Sequence, residues 1–74
     1  MTLPAAGPEP GSYAVDLRSG RVGRVMAYLG PDAYLRPLGG GREWECPPGE
    51  LKAASFSELL RARVRERNAQ GRLP

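Results

Sequence analysis

The sequence predicts a mainly β protein: a small five-stranded SH3-like barrel with a disordered N-terminal tail and a C-terminal α-helix. Three observations predict it. Apolar and polar residues alternate in short runs between Tyr13 and Ala54. Gly- and Pro-containing turns separate the runs. After Ser55 the apolar period becomes helical. Barrel closure avoids long open edges in so short a chain, and the Pro47-Pro48 turn before the last run suits it. The alternative is an open meander with the helix packed on one face.

The elements follow in order. Residues 1–11, rich in Pro, Gly and Ala, have little to bury and read as the tail. Tyr13, Val15 and Leu17 share one face of a first strand, opposite Ala14, Asp16 and Arg18. Ser19-Gly20 makes a tight turn into a second strand over 21–29. Its alternation slips at Gly23, where a bulge or bend would reconcile Val22 with Val25, Ala27 and Leu29. Gly30-Pro31-Asp32 turns into a third strand over 33–38, and Gly39-Gly40-Gly41 forms the next tip. In 42–46, Trp44 and Cys46 point in while Glu43 and Glu45 point out. Pro47-Pro48-Gly49-Glu50 predicts a short turn, and 51–54 a fifth strand, closing a barrel over 12–54. Ser55 and Glu58 have capping-box spacing, and Phe56, Leu59, Leu60 and Val64 form one stripe. The helical segment spans 55–71, with 72–74 as a short tail.

Composition removes most catalytic chemistries. The chain has 74 residues, no His and one Cys. There is no imidazole base, no Cys/His zinc site and no internal disulfide. Paired carboxylates such as Asp16, Asp32, Glu43 and Glu45 read as surface groups, partners for Arg63 and Arg67. Cys46, between Glu45 and Pro47, reads as a buried small hydrophobe. The triple Gly at 39–41 lacks the Lys-Ser/Thr of a phosphate loop. The expectation is a non-enzymatic protein with no metal and no cofactor. No run reaches the ~20 apolar residues of a membrane helix, and the first residues lack a signal-peptide pattern, so the expected location is cytoplasmic.

Charge places the candidate sites. Residues 1–54 carry six cations and six anions, so the whole net charge of +3 lies in 55–74. Ten of the eleven cations are Arg, which suits bidentate phosphate contacts but also follows from a GC-rich genome. Arg63 and Arg67 project on the side of the helix stripe, Arg61 and Arg65 roughly opposite. Arg18, Arg21 and Arg24 crowd the first hairpin, as a phosphate-facing edge or a charge-guarded one. Tyr28 and Tyr34 flank one turn and are expected as cross-strand neighbours on the outer face, while Tyr13 and Trp44 have core phase.

Two stretches carry a resemblance: Ser19-Gly20-Arg21-Val22-Gly23-Arg24-Val25-Met26, and Leu35-Arg36-Pro37-Leu38-Gly39-Gly40-Gly41-Arg42-Glu43-Trp44-Glu45-Cys46-Pro47-Pro48. Over residues 12–54 the chain resembles a group of short uncharacterised actinomycete proteins. The resemblance implies an actinobacterial cytoplasmic protein and brings no assigned activity. The Gly-containing second strand is also similar to KOW and Tudor-type SH3-like domains, a likeness of fold only.

The leading functional expectation is a small interaction module, an accessory or regulatory factor docking on a larger protein. Tyr28 and Tyr34 would offer an aromatic barrel face, and Arg63 and Arg67 would meet acidic groups. The alternative is a weak nucleic-acid binder with Arg18, Arg21, Arg24, Arg61 and Arg65 on phosphates. A membrane surface is not an expected partner, because a short stripe flanked by Arg inserts poorly. Oligomeric state stays open at this level.

Overall fold

The computed structural model describes residues 7–71, with side chains through residue 67. Residues 1–6 of the expected tail, and the short tail at 72–74, lie outside the described residues. Five strands form: β1 (Tyr13–Asp16), β2 (Arg21–Leu29), β3 (Asp32–Pro37), β4 (Trp44–Cys46) and β5 (Leu51–Ala53). A 3-10 turn over Pro48–Glu50 precedes β5, and the helix α1 spans Phe56–Gly71. All pairings are antiparallel, in the spatial order β4-β3-β2-β1-β5.

The sheet is open, which corrects the expected SH3-like barrel. β4 and β5 are its two edges, with no ladder between them. It is not a simple meander either, because β5 returns to pair with β1. Two features account for the missing ladder. Each edge strand has only three residues, and the link between them contains Pro47 and Pro48, which have no N–H to donate. Side chains do the joining instead. Arg18 Nη2 donates to the Glu45 carbonyl at 2.8 Å, and Trp44 Nε1 donates to Asp16 Oδ2 at 2.9 Å. The Leu17 amide also bonds the Glu50 carbonyl at 2.8 Å.

The core is thin. Ala14, Val25, Ala33, Leu35, Cys46 and Leu51 are buried together, with Tyr28 and Trp44 packed against them. β1 is buried on both faces rather than one, since Val15 of the expected inner face is also buried. Ala14 and Asp16 face this core, while Leu17 is 52% exposed. Hydrophobicity alone would choose Tyr13, Val15 and Leu17. Asp16 is nonetheless turned inward because it meets four hydrogen-bond donors there, and a buried carboxylate with partners is tolerated.

In β2 the expected irregularity exists but sits elsewhere. The register with β3 shifts between Val25 and Ala27, not at Gly23. Gly23 answers a packing demand: a Cβ there would lie 2.6 Å from the Trp44 ring and 2.8 Å from the Arg36 carbonyl. The β2–β3 hairpin turns on Gly30-Pro31, and Gly30 adopts φ +61°, the sign a two-residue hairpin requires at its first central position. Residues 7–12, within and just beyond the stretch read as tail, run beside β2. The Gly11 amide bonds the Val25 carbonyl at 2.7 Å, and the Val25 amide bonds the Ser12 carbonyl at 2.8 Å.

The capping box is made in both directions. The Ser55 hydroxyl accepts from the Glu58 amide at 3.1 Å, and the Glu58 carboxylate accepts from the Ser55 amide at 2.8 Å. Glu58 also receives Lys52 Nζ of β5 at 2.8 Å. That tie places Glu58 on the side of α1 nearest β5. With ~100° per residue, Glu58, Ala62 and Glu66 share the side held toward the sheet, and Ala62 is buried while Leu59 is half-buried. The sequence stripe is thus divided. Only Leu59 of it turns inward; Phe56, Leu60 and Val64 remain 76%, 47% and 56% exposed.

Candidate functional site: a groove between the sheet and α1

The register brings Tyr13, Arg24 and Arg36 into one row across β1, β2 and β3, because Tyr13 pairs with Arg24 and Arg24 with Arg36. Strand alternation puts this row on the face away from Ala14 and Val25. α1 lies against β2, and its residues Leu60, Arg63, Val64, Glu66 and Arg67 form the facing wall. Pro37, Leu38 and Gly39 close the β3 end. The result is a groove of about 570 Å³, with Arg24, Arg36, Arg63 and Arg67 around an apolar lining. Glu66 is its one carboxylate.

The arginines of the groove are held to different degrees. Arg63 is placed over the Tyr13 ring, 5.5 Å from its centroid, and donates to the Tyr13 hydroxyl at 3.3 Å. Arg36 makes a loose pair with Glu43 at 3.5 Å, both partners partly exposed. Such a pair contributes about 0–1 kcal/mol and is readily exchanged for a better carboxylate. The Arg24 and Arg67 side chains make no hydrogen bond, ion pair or ring contact among the described residues.

The arginines of the first hairpin do not form one patch. Arg21 and Arg24 differ by an odd number of positions and lie on opposite faces of β2. Arg21 sits over the Trp44 ring at 4.1 Å from its centroid. Arg18 is engaged by Asp16 through Nε at 3.1 Å and Nη2 at 3.0 Å, and by the Glu45 carbonyl. The Arg18 guanidinium, helped by the Trp44 N–H and the Arg18 amide, holds the Asp16 carboxyl well below the usual range despite burial. Asp16 in turn raises the Arg18 pKa further. The expected role of Arg18, Arg21, Arg24, Arg61 and Arg65 as phosphate contacts is therefore corrected: the ion pairs and hydrogen bonds of the described residues show no phosphate-binding arrangement, and Arg18 and Arg21 are already engaged within the protein. The expected pairing of surface carboxylates with Arg63 and Arg67 is corrected as well. Asp16 is 2% exposed. Glu43 meets Arg36, and Glu45 accepts from the Tyr34 hydroxyl at 3.1 Å.

The aromatic barrel face does not exist, and the docking mode built on it is withdrawn. Tyr28 pairs with Ala33, whereas Tyr34 pairs with Ala27, so the two rings fall on opposite faces. The register shift at Met26 produces this, since one extra residue inverts the alternation that follows. Tyr28 packs on the core and donates to the Pro8 carbonyl at 2.6 Å. Burial pushes its phenol up, and the Glu45 carboxylate does the same to Tyr34 through their hydrogen bond.

Cys46 is buried, and burial together with the Asp16 charge pushes its thiol up. It is thereby kept in the unreactive form. Among the described residues no group of three or more His, Cys, Asp and Glu could hold a metal ion, and no helix is long and apolar enough to cross a membrane.

Sequence reasoning missed Tyr13, Arg36, Leu38, Leu60 and Val64 as site residues. Their common signal is register, which no local pattern supplies. Compared with known proteins, the chain matches no family model, no curated protein and no solved structure.

Proposed function

We propose that this protein is a non-catalytic binding domain whose groove between the outer sheet face and α1 takes a carboxylate-bearing segment of another protein. One observation carries the reading: Arg24, Arg36, Arg63 and Arg67 surround an apolar lining with Glu66 as its one carboxylate, and two of them lack internal partners among the described residues. Guanidinium groups match carboxylates with paired hydrogen bonds. The Tyr13, Leu38, Leu60 and Val64 surfaces favour side chains with apolar bodies beside those carboxylates. The volume accommodates a few side chains of a partner. A catalytic role lacks a candidate group, since the Asp16 carboxylate is held ionised by Arg18 and the Cys46 thiol is held protonated by burial.

The test is an amide NMR titration of the full chain with a short Glu/Leu peptide, capped at both ends. Shifts are expected at Arg24, Arg36, Leu38, Arg63 and Arg67. The R24E/R67E variant should weaken the interaction by about tenfold or more, as charge reversal at a contact does. A peptide with Gln for every Glu should bind far less. Equal binding of the Gln peptide, or shifts confined to other residues, overturns the reading.

A further inference from the structure

We infer that the segment taken by the groove is an acidic amphipathic α-helix laid along α1 over Leu60 and Val64. The inference rests on the groove reading above and adds the shape of the occupant. Phe56, Leu60 and Val64 recur at every fourth residue, so they form one stripe on α1. They are 76%, 47% and 56% exposed, so much of the stripe faces solvent. Leu59, the remaining member of the sequence stripe, is turned toward the sheet, and this moves the centre of the exposed stripe to Leu60.

The charge on either side of this stripe is mainly positive, with Glu66 the one carboxylate of the groove. Leu60 and Val64 line the groove together with Arg63 and Arg67. The same two residues line a second, shallower hollow of about 550 Å³ with Ser57, Arg61 and Arg65. The stripe is thus a ridge between two arginine-lined hollows, and each arginine pair is spaced four apart. A partner that covers the ridge meets guanidinium groups on both flanks. A helix is about 10–12 Å across and presents an apolar stripe with parallel rows of side chains on each side at the same four-residue spacing. Carboxylates in those rows reach Arg61 and Arg65 on one flank and Arg63 and Arg67 on the other. This is the helix-in-groove mode with the charges arranged for an acidic ligand.

Charge argues against the other occupants. A second copy would set arginine rows against arginine rows; of the two carboxylates on α1, Glu58 is engaged by Lys52, and Glu66 alone does not balance Arg61, Arg63, Arg65 and Arg67. A nucleic acid backbone would meet the arginines but leave Phe56, Leu60 and Val64 in water.

The experiment is an amide NMR titration of the full chain with a designed helix-forming peptide carrying a Leu stripe flanked by Glu. A scrambled peptide of equal composition and a short DNA duplex serve as comparisons. Sedimentation of the chain alone and circular dichroism of the mixture complete it. The designed peptide should shift amides from Phe56 to Arg67 and gain helix on binding. The L60S/V64S variant should weaken it by about tenfold or more, with the thermal melt unchanged because both side chains are exposed. If the scrambled peptide binds equally through Arg24 and Arg36, the helix inference fails and the groove reading survives. If neither peptide shifts the groove or α1, both fail. A concentration-dependent dimer abolished by L60S/V64S assigns the ridge to a second copy and overturns the inference. Tighter binding of the duplex at the same amides also overturns it.

Discussion

Arg18 and Arg21 of the first hairpin and Arg24 and Arg67 of the groove are the same residue type in opposite situations. Arg18 is tied to a buried carboxylate and a strand-edge carbonyl, and Arg21 lies on Trp44. Arg24 and Arg67 have no such partner among the described residues. The first set joins the end of β1 to β4 and substitutes for a backbone ladder. The second set contributes little to the fold and leaves its hydrogen-bonding capacity for a ligand. What an arginine does here depends on whether a carboxylate or an aromatic face has already claimed it, and net charge says nothing about that.

Removing Asp16 is the strongest way to break this contrast. Asp16→Ala leaves Arg18 and the Trp44 N–H without their acceptor; Asp16 is buried but Arg18 is half exposed and can turn to water, so losing these charge-assisted hydrogen bonds costs about 1.5–3 kcal/mol. Urea unfolding should show that loss, with Trp44 fluorescence as the probe; a loss within about 0.5 kcal/mol would mean the cluster is merely a surface feature. Next is Gly23→Ala, which forces Trp44 and the β3 backbone apart. Overpacking of this kind costs about 1–3 kcal/mol, and it should also disturb the Arg21 stacking, read as a shift of the Trp44 indole resonance. Ser55→Ala removes one half of the capping box and should cost about 1 kcal/mol, read as an earlier melt of α1 by circular dichroism. At the groove the expectation reverses: Arg24→Gln and Arg67→Gln should each change stability by less than about 0.5 kcal/mol. A larger loss would place these arginines with Arg18 among the structural ones.

Acid separates two contributions. The Asp16 carboxyl has a lower pKa folded than unfolded, so its stabilisation is fully present above the unfolded value of about 4. It fades as pH falls below that value toward the folded one. Glu58 behaves with the same sign, from the ordinary 4.5 down to about 2, because Lys52 and the Ser55 amide hold its charged form. Stability should therefore be flat near neutrality and decline below about pH 4. Asp16→Asn should remove most of the decline, and Glu58→Gln a smaller, salt-sensitive part. A decline that survives both substitutions would locate the acid sensitivity elsewhere.

Much of the element plan was readable in advance. Alternation located the strands, Gly-containing pairs located the turns, and Ser55 with Glu58 located the start of the helix, because all of these are interactions between near neighbours. The site was less readable. Tyr28 and Tyr34 look adjacent in the sequence of the hairpin, yet one extra residue at Met26 puts them on opposite faces. Phe56, Leu60 and Val64 look like a packing stripe, yet the face of α1 with Ala62 and Leu59 is the one turned inward.

The sequence by itself determined the order and type of the elements, the lack of imidazole and disulfide chemistry, and the basic character of the C-terminal segment. Those follow from composition and from contacts a few residues long. Only the tertiary structure decided that the sheet stays open, that Asp16 is inside and Leu17 outside, and that Arg24, Arg36, Arg63 and Arg67 line one groove. Each of these depends on register across strands or on the rotation of a helix, where a shift of one residue, or a turn of ~100°, exchanges the buried side chains for the exposed ones.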